Sequence, residues 1–230
     1  YPAFGDETIV ACTARHDHKL NNGQIVAALI DAGARHNLGD LVQAGLEERV
    51  VELLEADPSA LDRPVPLRKA EVGPPLHAGL HTDFFHHADD REARMMNLLL
   101  DRGADIDAVD SQGLTALQRA AEHEGSRHTS IADKARSIAQ LLLQRGARVD
   151  LFAATALGDV DRVRELIGQD PGQVHARRAD GKTPLHVAHE VGRAQVAELL
   201  VAQGADPHAR SESGSTPVDA EVDHLGGQLQ

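Results

Sequence analysis

Histidine is the residue type in this 230-residue chain that points most directly to chemistry, because several of the 14 histidines gather near one another and near carboxylates. His77 and His81 are four positions apart, which places both on one face of a helix, as a pair of zinc ligands requires. Further candidate ligands follow in two later segments. We predict one possible site for zinc or another divalent metal, structural or open to substrate, from His81, Asp83, His86 or His87 together with His123 or His128.

Other catalytic signatures are missing from the sequence. It contains no phosphate-binding loop, no dinucleotide fingerprint and no nucleophile elbow. Cys12 is the single cysteine, so no internal disulfide can form, and its alanine-rich surroundings favour a small core residue over a nucleophile. Apart from the metal-site alternative, the sequence therefore indicates a protein that is not an enzyme and has no cofactor.

Composition limits the partners. Hydrophobic residues make up 41% of the chain and aromatic residues 2%, which predicts thin helical layers filled with Ala, Leu and Val. The net charge of −13 repels phosphate backbones, so nucleic acid is not an expected partner. No apolar run is long enough to span a bilayer, and we predict a cytoplasmic monomer. Tyr1 stands where Met would start a chain, which leaves a removed signal peptide open.

The elements that would position these residues come from an internal repeat. Its clearest copy runs from Gly181-Lys182-Thr183-Pro184-Leu185-His186 to Gly204-Ala205-Asp206. Thr183 can cap a helix that begins with Pro184, because Pro at the first helical position gives up only an N–H that has no helical partner. Val196, Leu199 and Leu200 form the apolar stripe of a second helix, and Gly204 suits the left-handed residue that ends it.

This unit closely resembles the ankyrin repeat, with its Thr-Pro-Leu-His signature and Gly-Ala-Asp ending, and partial copies extend along the chain. The resemblance implies an all-α ankyrin-repeat solenoid of helix–loop–helix units with short β-hairpin or turn fingers between them. We predict one domain, 1–230, of six repeats and a partial cap. Their bounds are about 5–36, 37–66, 73–107, 113–149, 150–180, 181–213 and 214–230.

Repeats 1 to 3 resemble repeats 4 to 6, and parts of them share one spacing. The segments 50–58 and 163–171 align without gaps 113 positions apart, and Gly33 and Gly146 share this spacing. The pattern predicts that a three-repeat block was duplicated. Because repeats 1 and 2 lack the Pro of the signature, the N-terminal half is expected to be less regular than the C-terminal half. Arg outnumbers Lys, a style that looks like ankyrin proteins of GC-rich bacteria.

The resemblance also implies a function, since family members bind protein partners on the concave face formed by first helices and fingers. Three fingers are expected at 109–112, 177–180 and 210–213, with arginines exposed to pair with carboxylates. The predicted contact residues for a protein partner of unknown identity are Val109, Asp110, Gln112, Arg177, Arg178, Asp180, Arg210 and Glu212.

The histidines gain a second interpretation from the repeat. Pro74 to Gly103 spans 29 positions and Thr115 to Gly146 spans 31, against 21 from Thr183 to Gly204. The extra residues are expected in long loops between the two helices of repeats 3 and 4, where most of the candidate ligands lie. His77 and His186, however, occupy the signature position at which the family uses the ring to bond backbone between repeats. That role needs no metal, so both interpretations stay open.

Overall fold

The computed structural model describes residues 22–67, 71–80, 91–124 and 129–219. The chain divides into two compact units, an N-terminal unit Tyr1–Ser111 and a C-terminal unit Gln112–Gln230. Both are built from helix pairs, so the predicted all-α, helix–loop–helix fold is confirmed. The division falls in a finger, between the predicted repeats 3 and 4. The candidate metal ligands His81, Asp83, His86, His87 and His128 lie outside the described residues.

The N-terminal unit contains five described α-helices and one small hairpin. The helices are α1 (Asn22–Asp31), α2 (Leu38–Gln43), α3 (Glu47–Ala56), α4 (Pro75–Ala78) and α5 (Arg91–Asp101). A 3₁₀ turn, Pro58–Asp62, follows α3, and strands β1 (Val65–Pro66) and β2 (Val72–Gly73) pair antiparallel after it. The first helices α2 and α4 of consecutive repeats pack side by side.

The C-terminal unit repeats this plan in three helix pairs. Its helices are α6 (Ala116–Glu124), α7 (Thr129–Gln144), α8 (Leu151–Leu157), α9 (Val160–Gln169), α10 (Pro184–Glu190) and α11 (Ala194–Ala202), with a 3₁₀ turn Pro171–His175 after α9. First helices α6, α8 and α10 pack in sequence, as do second helices α9 and α11. Each pair therefore covers an apolar face that it could not bury alone.

Short-range chemistry sets where these helices begin and end. Asn37 and Asp40 form a reciprocal capping box at the start of α2, and Asp150 accepts the N–H of Ala153 at the start of α8. Four second helices, α1, α5, α7 and α11, are followed two residues later by a glycine, namely Gly33, Gly103, Gly146 and Gly204. Each of these glycines has φ between +88° and +94°, a left-handed conformation that costs glycine little. The predicted stop at Gly204 is confirmed.

The core consists of small and aliphatic side chains, as the composition predicts. In the C-terminal unit Leu151, Leu185, Val196 and Leu200 belong to one buried cluster, with Ala154 and Ala188 allowing close helix approach. Burying one leucine of this kind stabilises the fold by about 1.5–3 kcal/mol. Leu199 is only half-buried and packs against the edge of the cluster. The cluster holds repeats 5 and 6 together and so fixes the loops between them.

The 113-residue spacing is visible in the element bounds. Helices α3 and α9 begin at 47 and 160 and end at 56 and 169, and the two 3₁₀ turns occupy 58–62 and 171–175. The correspondence predicted from sequence is therefore confirmed for these elements. The expected irregularity of the N-terminal half is wrong for repeat 2, because α2 and α3 form as regular a pair as α8 and α9. Its capping box replaces the missing Pro signature.

Repeat 4 corrects the expected position of its extra residues. Helices α6 and α7 contain 9 and 16 residues, against 7 and 9 in α10 and α11. Only 125–128 lie between α6 and α7, so the prediction of a long loop is wrong for this repeat. The added residues lengthen the helices, because Ile131, Ala135 and Ile138 continue the buried helical stripe of α7.

Candidate interaction surface

Two adjacent fingers of the N-terminal unit are joined by hydrogen bonds. The first is the β1–β2 hairpin, in which Pro66 lies opposite Val72. The second carries Val109 and Ser111. Ser111 N–H donates to the Val72 carbonyl at 2.8 Å, and Val72 N–H donates to Ser111 Oγ at 3.2 Å. Reciprocal bonds of this kind hold the fingers at a fixed spacing, which a binding surface needs.

A groove of about 460 Å³ lies beside these two fingers, and we call it the Val72–Val109 groove. Its lining is Leu61, Asp62, Pro64, Val72, Gly73, Pro74, Pro75, Leu76, Ala104, Asp105, Ala108, Val109, Asp110 and Ser111. Val72 and Val109 are 45% and 54% exposed, so two aliphatic side chains face solvent along the same groove. The groove thus combines apolar walls with carboxylates, in the volume range of about 300–1,000 Å³ typical of ligand sites.

The predicted contact residues of this finger differ in accessibility. Val109 is exposed and lines the groove, as a contact residue should. Asp110 is only 5% exposed, and a Cβ added at Gly73 would lie 2.9 Å from its Cβ, so the two fingers are tightly packed there. Gln112 is half-buried. Exposure therefore concentrates on Val109, whereas Asp110 stabilises the finger.

The fingers of the C-terminal unit lie where the sequence predicts them. Arg178 N–H donates to the Lys182 carbonyl and Ser211 N–H to the Ser215 carbonyl, both at 3.0 Å, which closes two tight hairpins. Glu212 N–H donates to the Asp180 carbonyl at 2.9 Å and joins them. The bond is equivalent to that between Ser111 and Val72, so both units connect their fingers in the same way.

Arg177 and Arg210 are exposed, as predicted, but their guanidinium groups also bond backbone. Arg177 donates to the Gly181 carbonyl and to the Arg210 carbonyl, both at 2.8 Å. Arg210 donates to the Gly214 carbonyl at 3.4 Å. Each arginine thus closes its own hairpin four residues on, and Arg177 also holds the next finger. Their charge remains accessible on rigid backbone, while Glu212 is exposed beside them.

Arg178 corrects the sequence prediction of an exposed arginine. Its side chain is 5% exposed and forms ion pairs with Glu122 on α6 and with Asp180, the latter at 3.2 Å. The guanidinium also lies 5.6 Å from the centre of the Phe152 ring, within reach of a cation–π interaction. The expected exposure is wrong because carboxylates and an aromatic ring of its own chain surround this cation.

The environment of these groups changes their protonation. Burial raises the pKa of the Glu122 carboxyl, although Arg178 opposes this. Burial also disfavours the charged form of Asp180, but the Lys182 N–H and the Arg178 guanidinium outweigh it and hold the pKa of Asp180 below its ordinary value. Direct pairing of Arg178 with Glu122 and Asp180 thus keeps charged groups at the base of the finger.

His186 has the backbone role that the family resemblance implies. Its Nδ1 accepts the Thr183 N–H at 3.1 Å, and its Nε2 lies 3.1 Å from the Ser215 carbonyl in the next finger. Burial lowers the pKa of the imidazole, which favours a neutral ring with the proton on Nε2. The interpretation of His186 as a bridge between repeats is confirmed, and His77 is likewise buried at the equivalent position of α4.

The metal-site prediction rests almost wholly on residues outside the described ranges. Of its six candidates only His123 is described, and it is partly buried near the end of α6, where another group contacts it. Among the described residues, no group of three or more histidines, cysteines or carboxylates could hold a metal ion. The site therefore stays a prediction from sequence. No described helix is long and apolar enough to cross a membrane.

Comparison with known proteins gives one recurrent result. A family model described as ankyrin repeats (3 copies) matches residues 128–211, and one described as ankyrin repeats (many copies) matches residues 84–143. Ankyrin repeat protein OPG189 of variola virus is 27% identical over 199 residues, which cover 82% of this chain and 34% of the viral protein.

Two other relatives match shorter segments. Ankyrin repeat and SAM domain-containing protein 6 of zebrafish (Danio rerio) is 35% identical over 108 residues, 47% of this chain and 15% of the relative. Mouse 2-5A-dependent ribonuclease is 40% identical over 67 residues, 29% of this chain and 9% of the ribonuclease. The matched region thus spans about a third of the longest-matching relative and less of the others. These relatives are viral and vertebrate, so the bacterial style stays a prediction.

Proposed function

Because this chain is an ankyrin-repeat protein, we propose that it binds a partner protein through its fingers, with the Val72–Val109 groove as the main contact. The observation that carries the proposal is the pair of exposed valines, 45% and 54% accessible, on hydrogen-bonded fingers beside a groove. Binding a partner would remove this apolar surface from water, which favours association. Because the fingers are already rigid, binding would not have to order their backbone.

The exposed residues of the C-terminal fingers are proposed as a second contact area. Arg177, Arg210 and Glu212 are exposed there, and the arginines hold their positions through bonds to backbone carbonyls. Fixed guanidinium groups lose less conformational entropy when they pair with a partner carboxylate. Arg178 is excluded from this area because its charge is already paired.

Catalysis is not part of the proposal. One relative is named a ribonuclease, but this chain matches 9% of its length, so the name supports no activity here. The metal-binding alternative has only the sequence positions of His81, Asp83, His86, His87, His123 and His128 in its favour. The cytoplasmic location and the monomeric state likewise remain proposals from sequence.

A pull-down from the native host, followed by mass spectrometry, tests the proposal. The immobilised wild-type chain is compared with Val72→Asp/Val109→Asp and with Arg177→Glu/Arg210→Glu. We expect the double valine variant to lose at least nine-tenths of a specific partner, since each aspartate puts a charge into an apolar contact. The arginine variant should lose a smaller part of the same partner.

The matched control is Val201→Asp on α11, where an exposed valine of 47% accessibility lies on a second helix away from the fingers. It should retain the partner. Equal capture of the partner by the wild type and the three variants would show that the fingers do not bind it. Circular dichroism of each variant verifies that the repeats remain folded.

A further inference from the structure

The Val72–Val109 groove carries two exposed carboxylates among the described residues. Asp62 is exposed at the end of the 3₁₀ turn, and Asp105 is exposed just after α5. Asp105 accepts the N–H of Asp107 at 3.0 Å, which fixes its side chain. Within the described part of the chain neither carboxylate forms an ion pair, and Arg63, next to Asp62, is instead paired with Asp57.

The walls between these carboxylates are aliphatic. Leu61, Pro64, Val72 and Val109 line the groove, and none of the lining residues that the structure describes is aromatic. Such a surface can take the methylene stem of a lysine or arginine while the charged head reaches a carboxylate. Flanking aliphatic or proline side chains would cover the exposed valines. The described lining thus offers no ring on which a planar ligand or a nucleobase could stack.

Charge argues for the same occupant. The chain has a net charge of −13, so anionic ligands such as nucleic acid or phosphorylated peptides are repelled, and basic segments are attracted. A volume of about 460 Å³ suits a few residues of extended chain better than a folded domain. Fingers fixed by the Ser111–Val72 bonds would hold such a segment without rearranging.

We propose that the Val72–Val109 groove binds a short extended peptide segment of the partner, in which an arginine or lysine lies beside aliphatic or proline residues. The basic head pairs with Asp62 or Asp105, and the apolar residues cover Val72 and Val109. This inference rests on the proposed function and specifies the chemistry of its partner.

Selection of random 12-residue peptides displayed on phage against the full chain tests the inference. We expect the selected peptides to be enriched in Arg or Lys next to aliphatic or proline residues. The best peptide, synthesised with a fluorophore, is then titrated by fluorescence polarisation. Asp62→Asn/Asp105→Asn keeps the size of both side chains and an oxygen to accept the Asp107 N–H. We expect it to weaken binding about three- to tenfold and to abolish most of the salt dependence.

Asp133→Asn/Asp161→Asn is the matched control, since it makes the same charge change at exposed residues of α7 and α9, away from the fingers. It should leave peptide affinity within about twofold. The inference is overturned if selection returns acidic or uncharged peptides, or none. It is also overturned if the asparagine variant binds as tightly as wild type, or if the groove instead mediates self-association that this variant abolishes in sedimentation.

The two proposals fail separately. If a partner is captured by wild type and lost with Val72→Asp/Val109→Asp, yet its binding ignores Asp62→Asn/Asp105→Asn and salt, the groove is a protein contact of other chemistry. If no partner depends on the valines, the proposed function itself fails.

Discussion

A single arginine at the base of a finger shows how a charge can serve the fold. Arg178 and Phe152 occupy the positions that Val65 and Gly39 have in the N-terminal block, 113 residues earlier. Val65 is buried and lies so near Gly39 that an added Cβ would be 2.7 Å from its own. One block thus fills this space with a close valine–glycine contact, and the other with a guanidinium over a ring.

This comparison predicts the effect of removing the cation. Arg178→Val should lower the free energy of unfolding by about 2 kcal/mol, because Glu122 and Asp180 lose their charge-assisted bonds in a buried place. The second variant is Glu122→Ile/Arg178→Val, which replaces both members of the ion pair by apolar side chains. It should regain at least half of the loss, since well-packed apolar residues can replace a buried ion pair. Urea unfolding measures all three proteins.

Arg164→Ala is the control for that cycle. Its side chain is 62% exposed on α9 and pairs with Asp161 three residues before, so the change should cost less than about 0.5 kcal/mol. A double variant no more stable than Arg178→Val would mean that the ion pair is not interchangeable with apolar packing here.

His186 makes stability depend on pH. Burial lowers the pKa of its imidazole below the value of about 6.5 for a free histidine, so the unfolded chain takes up a proton that the folded chain excludes. Its contribution is complete above about pH 6.5 and is lost as the pH falls below it. Protonation of Nδ1 would also end its acceptance of the Thr183 N–H.

We therefore expect the free energy of unfolding to fall between pH 7.5 and 5.5, and to fall less in His186→Gln. Gln can still receive the Thr183 N–H but does not titrate. The difference between the two slopes in urea titrations isolates His186 from the other histidines. Parallel slopes would contradict the assignment of this pH dependence to His186. The lowered pKa of Asp180 affects stability only at more acidic pH.

At the scale of the element, two glycines inside helices distinguish the effect of side-chain packing from the effect of helix propensity. Gly39 lies in α2 against Val65, whereas Gly168 lies in α9 with no atom within 4 Å of an added Cβ. Gly39→Ala should destabilise the chain by about 1–3 kcal/mol through overpacking. Gly168→Ala should stabilise it by about 0.5–1 kcal/mol, because alanine favours the helix.

Thermal unfolding of the two variants compares these effects in one chain. A stabilising Gly39→Ala would show that Val65 and its hairpin move aside at little cost. A destabilising Gly168→Ala would contradict the open surroundings of that position. Because both changes add the same methyl group to a helix, their difference reports the contacts of Gly39 with Val65 and with the Asn37 Oδ1, which would lie 3.0 Å from the added Cβ.

The helix pairs are the part of the fold that sequence predicts best, since caps and stops are local. Thr183 and Pro184 begin α10 as expected, and Gly204 follows α11 with φ of +94°. The longer helices of repeat 4 could not be predicted, because the length of an insertion does not distinguish a loop from added helical turns. Burial of Arg178 escapes it because Glu122 and Phe152 come from two other helices, 56 and 26 positions earlier in the chain.

At the scale of the whole molecule, the two compact units differ in the surface their fingers present. The N-terminal unit has exposed valines beside exposed carboxylates, and the C-terminal unit has arginines fixed to backbone carbonyls. The sequence predicts the position of the fingers and four exposed members, Val109, Arg177, Arg210 and Glu212. The groove itself could not be predicted, since its lining comes from three separate segments, 61–64, 72–76 and 104–111.

The pairs Gly39–Val65 and Phe152–Arg178 imply that the two positions of each pair changed in concert as the blocks diverged. Any side chain at 39 would collide with the valine, and an arginine over glycine would lack the ring beneath it. Few sequences in which only one position of a pair has changed should therefore fold stably. Among close homologues, substitutions at 39 and 65, and at 152 and 178, should be statistically coupled, while the exposed finger tips vary independently.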